Sequence, residues 1–309
     1  MPVHLARTRK QSWFLPRMIS PAFPTLLDSA LMSINAFHTS VISLILFSIF
    51  SAGCSTGKSW SAQETLNIAR EFEQRHVTGT FVLLDSQTAQ MQCYNCARAH
   101  QRFLPASTFK IANALIALET GVVDDAGFTL PWNSEATPRQ TWWPDTWAKD
   151  QTLKSAFAGS VVWYYQELAR RIGHERMQSY VRRFRYGNED ISGGIDQFWL
   201  TGGTRISAIE QVDFLRRFHQ NGLGASAHST NVVKDILTLE QTPHYRLSGK
   251  TGWAGFGDSK PGLGWLVGYL ERDGSVAFFA MNIDINENAD AASRLAIVKS
   301  VLRDSRYIE

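Results

Sequence analysis

The stretch Pro105-Ala-Ser-Thr-Phe-Lys-Ile-Ala-Asn-Ala-Leu-Ile-Ala-Leu118 predicts the central helix of the fold. Pro105 precedes the apolar run and Gly121 follows it, so the helix is expected to begin near Ser107 and to stop at the glycine. Apolar residues cover most of its circumference, and a helix of that kind is usually buried. The sequence therefore places this helix inside the molecule.

Lys110 is the unusual residue of this helix, because a lysine is almost never fully buried unless another group pairs with it or uses it. It follows Ser107 by three residues, which puts both side chains on one face near the positive end of the helix. An amine beside a hydroxyl is the arrangement of an activated serine nucleophile. Ser-x-x-Lys is also a loose pattern that recurs from Ser55 to Lys58, so spacing alone leaves a purely structural role open.

The composition describes a globular protein with a substantial core, since the chain has 309 residues of which 44% are hydrophobic. The formal net charge of +3 comes from the N-terminal segment: four basic residues and one acidic residue precede Cys54, which leaves the remainder formally neutral. Charge therefore gives no support to nucleic-acid binding. The eight histidines show no His-Glu-x-x-His or other metal-ligand spacing, so no metal site is expected.

Residues 1–53 are interpreted as a leader or signal segment. Val41 to Phe50 form an apolar run of ten residues, which is short for a membrane span but suits the core of a secretory signal. We expect export to the periplasm, with an uncleaved membrane anchor as the alternative. Ser51-Ala-Gly-Cys54 is similar to a lipoprotein processing site, although serine stands where leucine is usual, so a lipid anchor at Cys54 stays open. Residues 54–60 are then a tether.

Cys93 and Cys96 form a Cys-x-x-Cys pair in an expected turn between strands. The sequence leaves three states open: a local disulfide, a redox pair or two free thiols. A catalytic redox role is the least favoured, because the pair does not stand at the head of a helix in a βαβ unit.

Strands are expected at both ends of the domain formed by residues 61–309. A capped helix from Ser61 to Gln74 precedes a buried strand, Gly79 to Leu84, and its short partner, Gln90 to Tyr94. An antiparallel meander and a final helix occupy residues 242–309. These segments predict an α+β fold, in which an antiparallel sheet (61–97 and 242–309) is flanked by N- and C-terminal helices.

Helices and long loops dominate residues 98–241, which we interpret as a helical domain inserted into the sheet. Helical patterns cover Leu153 to Phe157, Val162 to Ile172, Arg176 to Phe184 and Ala208 to Asn221. A loop before them carries Trp132, Trp142, Trp143 and Trp147. These tryptophans either pack against the domain or line a cleft.

Further short patterns follow the Ser107 helix in order along the chain: Ser160-Val-Val162, Tyr186-Gly-Asn188, Phe198-Trp-Leu200 and Lys250-Thr-Gly252. Each is commonplace alone, as a helix cap, a turn, a loop or a strand lysine in solvent. Together with Ser107-Thr-Phe-Lys110 they resemble the penicillin-recognising serine enzymes, and within these the class D serine β-lactamases, or oxacillinases. The resemblance runs from about residue 78 to residue 303.

The resemblance implies that Ser107 is the nucleophile that opens the β-lactam ring and forms an acyl-enzyme. Lys110 would be the general base, as an N-carboxylated lysine formed with carbon dioxide, and no other cofactor is implied. Ser160 would carry a proton to the ring nitrogen, and the indole N–H of Trp199 would hydrogen-bond the carbamate. The pocket around the carbamate would be lined by Phe109, Val162 and Leu200.

The same resemblance implies a set of substrate-binding residues. Lys250, Thr251 and Arg294 would bind the substrate carboxylate. The backbone N–H groups of Ser107 and Trp253 would form the oxyanion hole, a pair of donors that stabilises the transition state.

The implied activity is hydrolysis of penicillin-type β-lactams, which gives antibiotic resistance. Two alternatives with the same fold remain: a β-lactam sensor domain that keeps its acyl-enzyme, and a peptidoglycan DD-peptidase. Ser160-Val-Val162 favours class D, because penicillin-binding proteins and class A enzymes usually carry Ser-x-Asn there. A sensor normally follows several membrane spans, for which the single short apolar run leaves little room.

Overall fold

A six-stranded antiparallel sheet, built from both ends of the domain, forms the centre of the molecule. The structure is a computed structural model that describes residues 62–255, 261–287 and 290–308. The strands are β1 (Gly79–Asp85), β2 (Met91–Tyr94), β3 (Thr129–Leu130), β4 (Gln151–Thr152), β5 (Thr238–Gln241), β6 (Arg246–Ala254), β7 (Gly262–Arg272) and β8 (Ser275–Ile285). The sheet has the strand order β2-β1-β8-β7-β6-β5, while β3 and β4 pair only with each other.

Most of the helices lie in the middle of the chain, between β2 and β5. They are α1 (Ala62–Gln74), α2 (Cys96–Ala99), α3 (Lys110–Glu119), α4 (Leu153–Ala158), α5 (Val162–Ile172), α6 (His174–Arg183), α7 (Ala208–His219), α8 (Ala227–Ile236) and α9 (Asp290–Asp304). This order confirms the predicted α+β fold with helices before, within and after the sheet segments. None of the helices in the described ranges is long and apolar enough to cross a membrane.

The sheet separates two hydrophobic cores, because successive side chains of a strand point to opposite faces. On one face Val82 and Leu84 of β1 pack with the helices of the inserted region. On the other face Phe81 and Leu83 pack with α1 and α9. Helix α3 lies inside the first core, and every residue from Lys110 to Leu118 is buried. The predicted burial of this helix is therefore confirmed.

The C-terminal segment of the sheet begins at Thr238, before the expected boundary at residue 242. Gln241 of β5 pairs with Arg246 of β6, and the N–H of Thr242 donates to the carbonyl of Tyr245 at 2.9 Å in the turn between them. Thr238–Gln241 therefore belongs to the edge of the sheet and not to the helical insertion. The tight turn brings β5 back along β6, and an edge strand needs only that one neighbour.

Cys93 and Cys96 are joined by a disulfide, which is one of the three states that the sequence leaves open. Cys93 lies in β2 and Cys96 is the first residue of α2. The bond therefore links a strand to a short helix, where the sequence predicted a turn between strands. The leader 1–53, the tether with Cys54 and the cap at Ser61 fall outside the described residues.

Candidate active site

Ser107 and Lys110 meet at the start of the central helix. A 3₁₀ turn, Ala106–Phe109, carries Ser107 and runs directly into α3, which begins at Lys110. Lys110 Nζ lies 2.8 Å from Ser107 Oγ. The spacing of one helical turn thus produces the contact that the sequence predicted.

Ser160 also contacts Lys110, from the short connection between α4 and α5. Lys110 Nζ donates to the Ser160 carbonyl at 2.6 Å and lies 3.1 Å from Ser160 Oγ. The Ser160 backbone has a φ of 54°, in the left-handed region that side chains rarely adopt. Both oxygens of Ser160 consequently face the same amine.

Lys250 approaches Ser160 from β6. Its Nζ lies 3.0 Å from Ser160 Oγ and 3.4 Å from Thr251 Oγ1. Ser160 Oγ therefore bridges two lysines, one beside the nucleophile and one on the sheet. A hydroxyl can accept a proton from one amine and donate its own to the other, so this arrangement can pass a proton.

Burial controls the charge of both lysines. It holds the pKa of Lys110 well below its usual range, and the nearby positive charge of Lys250 adds to this effect. Burial also lowers the pKa of Lys250 to about 7, with a further contribution from Arg294. Burial and the charge of Lys250 both shift Lys110 toward the neutral amine, whose lone pair can take the Ser107 proton.

Trp199 provides a buried hydrogen-bond donor without an acceptor. Its side chain is fully buried, and its Nε1 donates to no atom of the described residues. The indole stacks on Phe109, the neighbour of Lys110, with ring centroids 5.4 Å apart. A donor left unpaired in this way costs about 1–3 kcal/mol. A neutral amine, an unpaired N–H and an aromatic wall fit a carbamate on Lys110.

The other residues expected around the carbamate lie in the same core. Phe109 is fully buried between Tyr186 and Phe198, at centroid distances of 5.3 and 4.9 Å. Val162 and Leu200 are partly buried and pack against this core. Within the described ranges, no cluster of His, Cys, Asp and Glu side chains could hold a metal ion.

Strand β6 passes close to the turn that carries Ser107. A Cβ on Gly252 would lie 3.0 Å from the Pro105 carbonyl and 3.1 Å from Thr108 Cγ2. A side chain at this position would require the neighbouring atoms to shift by a few tenths of an ångström, so glycine suits the close approach of β6 to the Ser107 turn. The N–H of Ser107 donates to no carbonyl of the described residues, so it is available for an oxyanion.

Arg294 lies behind β6, where it supports the strand. Its Nη1 donates to the Gly252 carbonyl at 2.7 Å and to the Trp265 carbonyl at 3.3 Å, while Nε donates to Ala291 at 2.8 Å. Burial lowers its pKa to about 10. Its expected contact with the substrate carboxylate therefore stays a prediction that depends on Nη2, which bonds no atom of the described residues.

Comparisons with known proteins identify the family of the chain. Residues 79–303 match the family model of the penicillin-binding protein transpeptidase domain. The chain is 41% identical to β-lactamase OXA-10 of Pseudomonas aeruginosa over 255 residues, which are 82% of this chain and 94% of that protein. It is 42% identical to β-lactamase OXA-48 of Klebsiella pneumoniae over 254 residues, 82% of this chain and 92% of that one.

A solved class D β-lactamase, YbXI from Nostoc, has 43% sequence identity and a TM-score of 0.74, and covers 77% of this chain and 98% of its own. The chain belongs to the class D β-lactamases. The resemblance seen in the sequence motifs is thereby confirmed.

The contacts of two aromatic residues with the site lysines were not predicted from the sequence of this class D enzyme. The ring of Tyr165 lies 5.4 Å from Lys110 Nζ, and the ring of Phe157 lies 5.7 Å from Lys250 Nζ. Both are close to Ser160 in sequence: Phe157 precedes it by three residues, and Tyr165 follows it by five. Their apolar periodicity indicates burial, but it gives no sign that they face the two amines.

The Tyr186-Gly-Asn188 motif packs against Phe109, which lies in the expected carbamate pocket. Tyr186 is fully buried against Phe109. Asn188 donates to the Gly203 carbonyl at 2.9 Å and accepts from the N–H of Arg205 at 2.8 Å. In this class D fold the motif therefore fixes the loop behind the pocket.

Proposed function

We propose that the chain hydrolyses the β-lactam ring of penicillin-type antibiotics and so gives resistance to them. The observation that carries this proposal is the position of the buried Lys110 amine. It lies 2.8 Å from Ser107 Oγ and also donates a hydrogen bond to the Ser160 carbonyl. Burial shifts Lys110 toward the neutral amine, which can take the proton of a hydroxyl at that distance. The family membership supports the same activity.

The first half of the reaction forms an ester on Ser107. Ser107 Oγ attacks the lactam carbonyl as its proton moves toward the Lys110 side chain, and the N–H groups of Ser107 and Trp253 donate to the resulting oxyanion. The carbon–nitrogen bond of the ring then breaks. Ser160 gives its proton to the ring nitrogen and is reprotonated from the side of Lys110 or Lys250. Lys250, Thr251 and Arg294 hold the substrate carboxylate during these steps.

The second half releases the product. Carbon dioxide bound as a carbamate on Lys110 would supply an anionic base, which Trp199 would hold through its unpaired N–H. Phe109, Val162 and Leu200 keep the base in an apolar environment. A water molecule would attack the ester carbonyl and lose a proton to the base. The bond between the carbonyl carbon and Ser107 Oγ would then break, the base would return the proton to Ser107 Oγ, and penicilloic acid would leave.

We also propose that the protein works in the periplasm. The apolar run from Val41 to Phe50 supports export, and the Cys93–Cys96 disulfide is suited to an oxidising compartment. A lipid anchor at Cys54 and an uncleaved membrane anchor are the alternatives to a free periplasmic protein. The intact mass of the exported chain distinguishes the three forms, because a lipid adds to the mass of the N-terminal cysteine and an uncleaved chain keeps the mass of its leader.

The activity is tested by a time course of intact mass after mixing the protein with a small excess of penicillin. A penicilloyl adduct that appears and then vanishes as the drug is consumed establishes a β-lactamase. An adduct that persists for hours contradicts the proposal and indicates a sensor or a penicillin-binding protein. Ser107→Ala is the control, and labelling of this variant at the full rate would remove Ser107 from the mechanism.

A further inference from the structure

The end of α4 places a serine where a helix usually has glycine. The N–H of Ser160 donates to the Phe157 carbonyl at 3.1 Å, and the N–H of Val161 donates to the Ala156 carbonyl at 2.9 Å. This pair of hydrogen bonds ends a helix with one left-handed residue, for which glycine is preferred. Ser160 occupies that position with a φ of 54°. A serine there costs about 1 kcal/mol or more, so the surroundings must hold it in place.

An indole supplies that support. Trp147 Nε1 donates to the Gly159 carbonyl at 2.9 Å. This carbonyl belongs to the peptide between Gly159 and Ser160, so the hydrogen bond fixes the peptide plane whose rotation changes φ of Ser160. The tryptophan thus acts on the torsion that aims both Ser160 oxygens at Lys110.

Trp147 is itself held from two directions. Trp163 Nε1 of helix α5 donates to the Trp147 carbonyl at 2.9 Å. The rings of Trp142 and Trp143 pack against Trp147 at centroid distances of 5.5 and 5.7 Å. Trp147 has an exposed fraction of only 7%, so its ring is packed and offers little surface to a substrate.

We propose that Trp147 is a positioning residue for Ser160, and that its indole N–H maintains the geometry of proton transfer during acylation. The inference rests on the proposed function, because it concerns the step in which Ser107 attacks a β-lactam. It also gives a role to the tryptophan-rich loop, because Trp147 of this loop holds the peptide between Gly159 and Ser160. Loss of the N–H lets the Gly159–Ser160 peptide rotate and takes Ser160 Oγ out of the contact with the two lysines.

Trp147→Phe tests the proposal, since it keeps an aromatic ring in the cluster and removes only the donor. We expect the rate constant of covalent labelling by penicillin to fall about tenfold, equivalent to ~1.4 kcal/mol, at saturating bicarbonate. The dissociation constant of intact penicillin, measured with a Ser107→Ala background, should stay within twofold. A purely structural weakening would change the melting temperature without separating these two constants.

Trp132→Phe is the matched control. Trp132 lies in the same loop, and its Nε1 donates to the Thr137 carbonyl at 3.0 Å, away from Ser160. We expect this variant to label at the wild-type rate. An equal loss in Trp132→Phe and Trp147→Phe would contradict the proposal.

A double-mutant cycle with Ser160→Ala shows whether Trp147 acts through Ser160. If it does, Trp147→Phe has little further effect on labelling once Ser160→Ala is present. The same tenfold loss in both backgrounds would overturn the proposal. If Trp147→Phe does not fold, Trp163→Phe replaces it in the cycle, because that change releases the Trp147 carbonyl and should give a smaller loss of the same kind.

The labelling rate also separates this inference from the proposed function. It can be measured whether the acyl-enzyme is short-lived or persists. A wild-type protein that is not labelled by penicillin defeats the proposed function. A wild-type protein that is labelled, with Trp147→Phe labelled equally fast, defeats only the role of Trp147.

Discussion

Lys110 Nζ contacts hydroxyl and carbonyl oxygens, and no carboxylate of the described residues forms a salt bridge with it. The nearby charge is that of Lys250, which shares the Ser160 hydroxyl with it. Two amines in one buried site repel each other when both are protonated. An anionic carbamate on Lys110 would replace this repulsion with attraction and would give Trp199 an acceptor.

Trp199→Phe is predicted to weaken the carbamate, because the variant keeps the aromatic ring and loses the indole N–H. A hydrogen bond to a charged group contributes about 1.5–3 kcal/mol, so at least about tenfold more bicarbonate should be needed for half-maximal activity. The carbamate itself can be observed by ¹³C NMR after addition of labelled bicarbonate. Its signal should be strong in the wild type and weak in Trp199→Phe at the same bicarbonate concentration.

Trp132→Phe serves as the control in this experiment as well, since its N–H bonds a loop carbonyl. It should bind bicarbonate as the wild type does. A carbamate signal of equal strength in Trp199→Phe and the wild type would remove Trp199 from the site.

At the scale of elements, the contact between β6 and the 3₁₀ turn of Ser107 brings the two halves of the site together. Gly252→Ala places a methyl group 3.0 Å from the Pro105 carbonyl, which belongs to the backbone and cannot move aside like a side chain. We expect the strand and the turn to separate by a few tenths of an ångström. The free energy of unfolding should fall by about 1–3 kcal/mol, the usual effect of overpacking.

The same change should slow acylation more than it weakens binding, because it moves the Trp253 N–H away from the Ser107 N–H. Gly127→Ala is the control, since the exposed Gly127 meets only the movable carboxylate of Asp125, at 3.2 Å. Urea denaturation and single-turnover labelling measure the two effects. Unchanged stability and labelling in Gly252→Ala would show that the strand has room for a side chain.

Most elements follow from periodicity and caps, and the exceptions have identifiable causes. The meander β6–β8 and helix α3 have clear apolar patterns, and Ser207 with Glu210 forms the capping box expected at the start of α7. Helix α8 was not predicted, because Ser, Thr, Asn and Val give Ala227–Ile236 little intrinsic helix preference. It forms because Val233 and Ile236 are buried in the helical core, which local sequence does not reveal.

The contacts of the candidate active site also fall into those that the sequence predicts and those that it does not. Contacts within one helical turn, such as Ser107 with Lys110, could be derived from spacing. Contacts between distant segments could not, because nothing local joins Ser160 to Lys250 or gives Trp199 a role. These assignments depended on the family resemblance. The hydrogen bond from Trp147 to the peptide that precedes Ser160 is visible only in the folded structure.

At the scale of the molecule, Arg98 connects the start of the inserted region to β8, the last strand in chain order. Its Nε donates to Asn282 Oδ1 at 2.6 Å, and its terminal nitrogens bind both oxygens of Asp284 at 2.6 and 3.1 Å. The guanidinium also lies 5.1 Å from the centre of the Phe103 ring. Only 12% of the Arg98 side chain is exposed.

Arg98→Ala is therefore predicted to lower the free energy of unfolding by about 2–3 kcal/mol, because it leaves Asn282 and Asp284 without their donor. Arg102→Ala is the comparison, since Arg102 pairs with Glu210 but is half exposed. A surface pair of that kind contributes about 1 kcal/mol or less. Equal losses in the two variants, measured by urea denaturation, would mean that Arg98 is no more important than a surface charge.

The position of β1 in the sheet has a consequence for biosynthesis. The ribosome makes Gly79–Asp85 long before one of its neighbours in the sheet, β8, whose last residue is Ile285. Pairing over so great a sequence separation is slow, and it cannot start before the second partner has been synthesised. The nascent chain therefore keeps β1 without one of its neighbours until β8 has been synthesised, and the six-stranded sheet is completed only after that.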